Sequence, residues 1–268
     1  MSTPPPPALK RLGQNFLVDP NIVRKIVALA ELDPRDHVLE IGPGRGILTE
    51  ALCCAAGRVT AIEIDPRLHA YLESRQPACP NLDLILGDAL THPLDRLPAG
   101  TIVVANLPYY LSTPLLFRLL EHRERFPRLI LMLQNEVADR LVAEPGGSEY
   151  GVLSVMAQHA AEITKSFRVS AQCFRPRPEV GSAVVRLSAR ARSGLTPRED
   201  AAFAAVVKAA FAHRRKTLVN SLRDEGYDPQ QAAAALEGLG LSPVIRAETL
   251  SRDQFVRLSR VVFGGNRP

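Results

Sequence analysis

Between His37 and Leu133 five short apolar runs alternate with stretches of helical spacing, and no other feature of the sequence restricts the possible folds as strongly. The runs His37–Ile41, Val59–Ile64, Leu82–Leu86, Thr101–Ala105 and Leu129–Leu133 have strand length, and segments near 46–56, 66–75, 114–123 and 134–143 have helical spacing. Such alternation predicts an α/β fold: a mainly parallel sheet with helices on both faces and right-handed connections. Asp19-Pro20 reads as an N-cap followed by proline at the first helical position, opening a helix that turns Ile22, Ile26, Val27 and Leu29 inward. Two later runs, Ile163–Arg168 and Ser182–Leu187, can close the sheet as an antiparallel pair.

At 268 residues the chain exceeds one ordinary domain. Residues 1–8 are proline-rich and aperiodic, which predicts a disordered leader; residues 9–190 form the α/β domain. At Ala189–Pro197 arginine, serine, glycine and proline replace the apolar pattern, and 199–221, 229–239 and 249–262 then read as helices of a small domain over 196–268. No apolar stretch approaches the roughly 20 residues that span a bilayer, and four prolines stand where a signal peptide would be apolar, so a cytoplasmic location is expected. Cys53, Cys54, Cys79 and Cys173 lack the paired spacing of a zinc site, so no metal is expected and a reducing compartment is. Of the net charge of +5, the segment 191–268 supplies most, with 12 basic against 8 acidic groups. Arginine outnumbers lysine 28 to 5, and a planar fork of donors grips phosphate well, which favours a polyanionic partner.

Chemistry in open α/β sheets sits at the carboxyl ends of the strands. After the first run comes Glu40-Ile41-Gly42-Pro43-Gly44-Arg45-Gly46, whose glycines let a ligand approach the backbone. Its spacing is Gly-x-Gly-x-Gly, not the dinucleotide fingerprint, and Glu40 would repel a pyrophosphate but suits an ammonium or sulfonium cation. The second run ends in Glu63-Ile64-Asp65, where a carboxylate can accept ribose hydroxyls, and the third in Gly87-Asp88-Ala89, where one can accept from an adenine amine. Acids at three successive strand ends fit S-adenosylmethionine better than a nicotinamide cofactor. The fourth run ends in Asn106-Leu107-Pro108-Tyr109. There the Asn106 amide and the Leu107 carbonyl, which Pro108 cannot engage with an N–H, can accept from an exocyclic amine while Tyr109 stacks on its ring. The same four residues also make an ordinary strand exit.

From Arg11 onward the sequence resembles the ribosomal RNA adenine N6,N6-dimethyltransferases, most of all the bacterial small-subunit type. The matching segments are Leu12–Leu17, Glu40–Gly46, Glu63, Asp88, Asn106–Tyr109, Leu133–Val137, Tyr150–Val155, Phe174–Val180 and Phe211–Thr217. The resemblance implies a Rossmann-like class I methyltransferase sheet with a small all-helical C-terminal domain. It also implies cofactor contacts from Asn15, Leu17, Gly42, Glu63, Asp88 and Asn106, joined by Glu40 and Gly44 from the glycine turn. Phe174 would stack on the target base opposite Tyr109, the alternative being a core aromatic pinned by two prolines. His213, Arg214, Arg215 and Lys216, expected on a tail helix, would contact phosphates, or else form a solvated face. The implied reaction is S-adenosylmethionine-dependent dimethylation of two adjacent adenosines in a hairpin loop near the 3′ end of small-subunit ribosomal RNA, within an immature subunit, by a monomer. Tyr110 departs from the asparagine expected after Asn-Leu-Pro-Tyr.

Three other functions use parts of the same pattern. A large-subunit RNA methyltransferase conferring antibiotic resistance shares the catalytic set but lacks the match at Phe211–Thr217. A ribosome-assembly or transcription factor could keep the fold as an RNA-binding module, and a dinucleotide oxidoreductase would need the absent Gly-x-Gly-x-x-Gly spacing.

Overall fold

The computed structural model describes residues 4–75, 78–190 and 195–264. The chain divides into two compact units, Met1–Ala138 with Ala161–Arg190 and Asp139–Ala160 with Ala191–Pro268. The first unit opens with β1 (Phe16–Leu17) and α1 (Pro20–Ala30). Then come β2 (His37–Ile41), α2 (Ile47–Ala55), β3 (Arg58–Glu63), α3 (Pro66–Glu73) and β4 (Leu82–Leu86). After β5 (Ile102–Asn106), α4 (Ser112–Glu121) and β6 (Arg128–Gln134), the division between the units falls inside α5 (Asn135–Val142). Helix α6 (Val152–Ala160) belongs to the second unit, and β7 (Ala161–Val169), β8 (Phe174–Arg175) and β9 (Ser182–Ala189) return to the first. Helices α7 (Pro197–Phe211), α8 (Leu218–Asp224), α9 (Pro229–Gly238) and α10 (Arg252–Gly264) complete the second.

Each of the five apolar runs is a strand, displaced by at most one residue at either end. They form the parallel part of a seven-stranded sheet of order β4-β3-β2-β5-β6-β9-β7, with β9 antiparallel to both β6 and β7. The near-continuous hydrophobicity of β2, β5 and β6 follows from burial on both faces. Asp19 does cap α1, accepting from Asn21 N at 2.8 Å, and Ile22 and Ile26 of that helix pack in one core with Leu52, Val38, Val104 and Phe174. Strand order reverses between β2 and β5, so a crevice opens at their carboxyl ends. A separate two-stranded ribbon pairs β1 with β8, Phe16 opposite Arg175 and Leu17 opposite Phe174.

The second unit has its own core of Phe203, Val207, Leu218, Leu236, Phe255 and Leu258. Tyr150 and Val155 are buried in that core, and the Tyr150 hydroxyl donates to the Leu250 carbonyl at 2.8 Å. This is why Asp139–Ala160 groups with the C-terminal helices and not with the α/β domain expected over residues 9–190. Composition changes only at the later crossing, so the earlier excursion leaves no mark in it.

Two further expectations change. The helix expected over 199–221 is two helices, because α7 ends at Phe211 and the Thr217 side chain starts α8 by accepting from Asn220 N. Of the leader, residues 1–3 lie outside the described residues, but Pro6 and Pro7 are not free: their carbonyls accept from Arg45 and Arg67. Residues 191–194 of the expected boundary also lie outside the described residues.

Candidate active site

The turn from β2 into α2 places Gly42, Gly44 and Gly46 at positive φ, a region where a side chain is strained. Gly44 has a second reason to be glycine, since a Cβ there would stand 3.0 Å from the Phe16 ring. That ring also carries the Arg45 guanidinium at 4.5 Å from its centroid. The turn is fastened from below by Glu63 at the end of β3. One Glu63 oxygen accepts from Gly44 N at 3.1 Å and the other from Asp65 N at 2.9 Å. Burial pushes the Glu63 carboxyl above the usual carboxylate range, and the two backbone donors oppose that shift. Asp65 is committed elsewhere: the Arg67 guanidinium holds its carboxyl at about 2, and Asp65 caps α3 through Arg67 N.

Glu40, buried near the end of β2, borders a recess with Gly42, Gly44, Phe16 and Asn106. Burial pushes its carboxyl up to about 8, with the Thr49 hydroxyl opposing the shift and the neighbouring Glu63 adding to it, and Oε2 makes no well-formed hydrogen bond among the described residues. A buried acceptor without a donor is costly unless a ligand supplies one. Around the corner a larger cavity is lined by Gly42, Glu63, Ile64, Asp88, Asn106 and Tyr109, among others. Asp88 keeps one oxygen on Leu90 N at 2.8 Å, so the other faces no described donor. Ile64 is 41% exposed at the cavity, an apolar face that a flat heterocycle can cover and that the sequence reading missed, although it follows the acid at a strand end.

At the end of β5 the Asn106 side chain donates through Nδ2 to the Asn15 carbonyl at 3.3 Å. That bond turns Oδ1 the other way, as an acceptor. The Leu107 carbonyl receives no hydrogen bond from a described residue, and Pro108 has no N–H. Tyr109 stands half-buried with its hydroxyl 2.8 Å from Ser182 Oγ on β9, a partner that sequence reasoning did not find. Residues 12–16 cover the cavity: Gln14 Nε2 donates to Asp65 at 3.0 Å, and Asn15 Nδ2 to the Gly13 carbonyl at 3.1 Å. Tyr110, 51% exposed, lies over Gly13, where a Cβ would come within 3.2 Å of its ring.

Several expected site residues are placed differently. Phe174 is fully buried in the sheet core opposite Leu17, so its ring has no face to offer a base, and the core-aromatic alternative describes it. The Leu17 side chain shares that core and borders only the smaller recess beside Glu40. The run His213–Lys216 occupies the turn between α7 and α8 and not a helix, because the cap at Thr217 interrupts it. Lys216 pairs with Asp224, and His213 lies 3.5 Å from Glu225. Arg214 donates to the Ser148 carbonyl, while Arg215 is exposed and makes no ion pair among the described residues.

The strand-end acids fit the ribose hydroxyls and adenine amine of S-adenosylmethionine, and the buried Glu40 carboxyl, protonated near pH 7 in the ligand-free protein, would be drawn to its charged form by the cationic end. Fold and site together define a Rossmann-like methyltransferase. The ribosomal RNA adenine dimethylase family profile matches residues 8–262, and the chain belongs to that family. A small-subunit ribosomal RNA methyltransferase A from Moorella thermoacetica is 46% identical over 264 residues, covering 94% of this chain and 92% of the relative. One of the same name from Geobacter metallireducens is 41% identical, covering 95% of each. Among solved structures, a dimethyladenosine transferase from Plasmodium falciparum is similar with a TM-score of 0.79 at 29% identity, covering 91% of this chain and 95% of that one. The 23S rRNA methyltransferase ErmE gives 0.72 at 29% identity, covering 92% and 99%.

The raised Glu40 value has a measurable consequence. Between the ordinary carboxylate value of 4.5 and about 8 the folded protein holds this proton and the unfolded chain does not. The ligand-free protein therefore loses stability as pH rises through that window and levels off above it. Urea unfolding from pH 5 to 9 is expected to show Glu40→Gln gaining on the parent across the same window, by roughly 3–5 kcal/mol at its upper end.

Proposed function

We propose that this protein uses S-adenosylmethionine to dimethylate N6 of two adjacent adenosines in a hairpin loop near the 3′ end of small-subunit ribosomal RNA, within an immature subunit. The observation that carries this reading is the pair of oxygen acceptors at the end of β5, Asn106 Oδ1 and the Leu107 carbonyl, beside a cavity suited to the methyl donor. The small-subunit substrate is supported by relatives of that name at 46% and 41% identity over more than nine-tenths of the chain. Among the described residues no helix is long and apolar enough to cross a membrane.

Bound S-adenosylmethionine supplies a methyl group activated by its sulfonium. The chain's task is to prepare the attacking nitrogen, whose lone pair is delocalised into the purine. Asn106 Oδ1 and the Leu107 carbonyl accept its two N–H groups, drawing them from the ring plane and localising the lone pair toward the methyl. Asn106 cannot turn its amide to present nitrogen without giving up the Asn15 carbonyl. No strong base is needed, since the amine becomes acidic only once the methyl has arrived; the spent donor would leave as a neutral thioether and the proton would pass to solvent. For the second transfer one N–H remains, and either acceptor can take it. Tyr109 offers its ring for stacking, worth roughly 1–3 kcal/mol per base. Glu63 and Asp88 would hold the cofactor's ribose and adenine, and Glu40 its cationic end.

In the second unit Arg214 and Arg215 are the members of the basic run with exposed side chains not neutralised by a carboxylate among the described residues, and we assign phosphate contacts to them. Each phosphate contact contributes to the salt dependence of RNA binding, so Arg214→Ala with Arg215→Ala is expected to weaken binding and reduce the log–log salt slope by roughly 1–2. An unchanged slope removes the assignment.

The deciding experiment is mass spectrometry of ribosomal RNA after incubating immature small subunits, and separately large-subunit RNA, with protein and methyl donor. Two dimethyladenosines in one small-subunit loop are expected; modification of large-subunit RNA alone would overturn the reading. In the same assay Asn106→Ala should lower kcat by about 100-fold or more, while calorimetric affinity for S-adenosylmethionine changes far less. Retained turnover would refute the acceptor role.

A further inference from the structure

The geometry points to Ser182 as a positioning residue for the methylation, holding the Tyr109 ring at the angle at which a target base stacks on it. The inference rests on the proposed role of Tyr109 at the base site. Ser182 is fully buried at the first position of β9, opposite Gln134 of β6 and Val169 of β7, and is followed by the buried Ala183, Val184 and Val185. A hydroxyl buried in such surroundings is unfavourable without a partner, and its partner among the described residues is the Tyr109 hydroxyl at 2.8 Å.

The start of β9 is itself seated firmly. The Gly181 carbonyl accepts from Asn135 N, at the start of α5, at 3.0 Å, and a Cβ on Gly181 would stand 2.8 Å from Asn135 Nδ2, so a larger residue there would have to displace that side chain. Tyrosine has two side-chain torsions. With its backbone fixed by the turn after Pro108 and its hydroxyl fixed on β9, both are determined before any base arrives. This matters more because Phe174, the other aromatic residue expected at the base, is buried in the core. Tyr109 is left as the half-buried ring beside the Asn106 and Leu107 acceptors. Sheet closure by β9 is thereby coupled to the orientation of a substrate-facing ring.

The test is a double-mutant cycle on kcat/KM for immature small subunits, using Ser182→Ala, Tyr109→Phe and both together. Each single change removes one neutral hydrogen bond while keeping the ring, so each should lower kcat/KM by about 3- to 10-fold, with calorimetric affinity for S-adenosylmethionine unchanged. The double variant should lose no more than either single one. A loss from Ser182→Ala of equal size in the Tyr109→Phe background would make Ser182 merely structural, and no loss in either single variant would also overturn the proposal. If Ser182→Ala fails to fold, Tyr109→Phe alone decides, by the same criterion of lowered kcat/KM at unchanged cofactor affinity.

A second readout is independent of activity. In protein labelled at tyrosine 13Cζ, which carries five such residues, the Tyr109 signal is identified by its disappearance in Tyr109→Phe. It should shift in Ser182→Ala, and an unmoved signal counts against the hydrogen bond. Should the parent protein leave ribosomal RNA unmethylated, the functional reading falls while this measurement still decides whether Ser182 holds the ring.

Discussion

A single buried carboxylate joins the elements on which the site is built. Glu63 accepts from the glycine turn after β2 with one oxygen and from the backbone after β3 with the other. Without those bonds the Gly42–Gly46 turn would have to find its shape against solvent. With them it is fixed to the neighbouring strand, and the recess beside Glu40 is defined. Burial opposes the charge on Glu63, and the backbone donors favour it, so the acid and the turn support each other. The parallel register of β2, β3 and β5 then brings Glu40, Glu63 and Asn106 to the same edge of the sheet.

The segment before α1 acts as a cover made from the same kind of bond. Gln14 reaches Asp65, the Asn15 carbonyl orients the Asn106 amide, and Phe16 packs on Gly44 while β1 pairs with β8. One short stretch thus touches the ends of three parallel strands, and its pairing with β8 draws Phe174 into the core opposite Leu17. The burial of Phe174 and the placement of Leu17 are two results of one ribbon. Among the aromatic residues at the cavity, Tyr109 and Tyr110 both follow Pro108, yet they diverge: Tyr109 turns inward to Ser182 and Tyr110 outward over Gly13. The tyrosine at position 110 is therefore explained by contact with the cover and not with the acceptors.

Much of this was legible in the sequence because it depends on local periodicity and on strand ends. A buried parallel strand must be apolar throughout, so Leu129–Leu133 announces itself, and the residue that follows such a run must lie at the mouth of the sheet. Glu40 and Glu63 stand one residue before the ends of their runs, Asp88 and Asn106 just after theirs, and all border one or other of the two adjoining hollows. The interruption between α7 and α8 was less visible, since apolar spacing continues across it and only Thr217 signals a new N-terminus. That interruption decides which of His213–Lys216 are neutralised, because it brings the run beside Asp224 and Glu225.

The amino-acid sequence by itself determined the alternation, the placement of the strand-end acids, the glycine turn and the strand exit at Asn106–Tyr109, because each follows from the spacing of neighbouring residues. The tertiary structure alone decided which side chains pair across the chain. Ser182 meets Tyr109 over a separation of 73 residues, and Asn106 meets Asn15 over 91. Asp139–Ala160 leaves the first unit to bury Tyr150 and Val155 in the second. Such partners are brought together by the packing of whole elements, and no local pattern of polarity or propensity encodes a meeting between two of them.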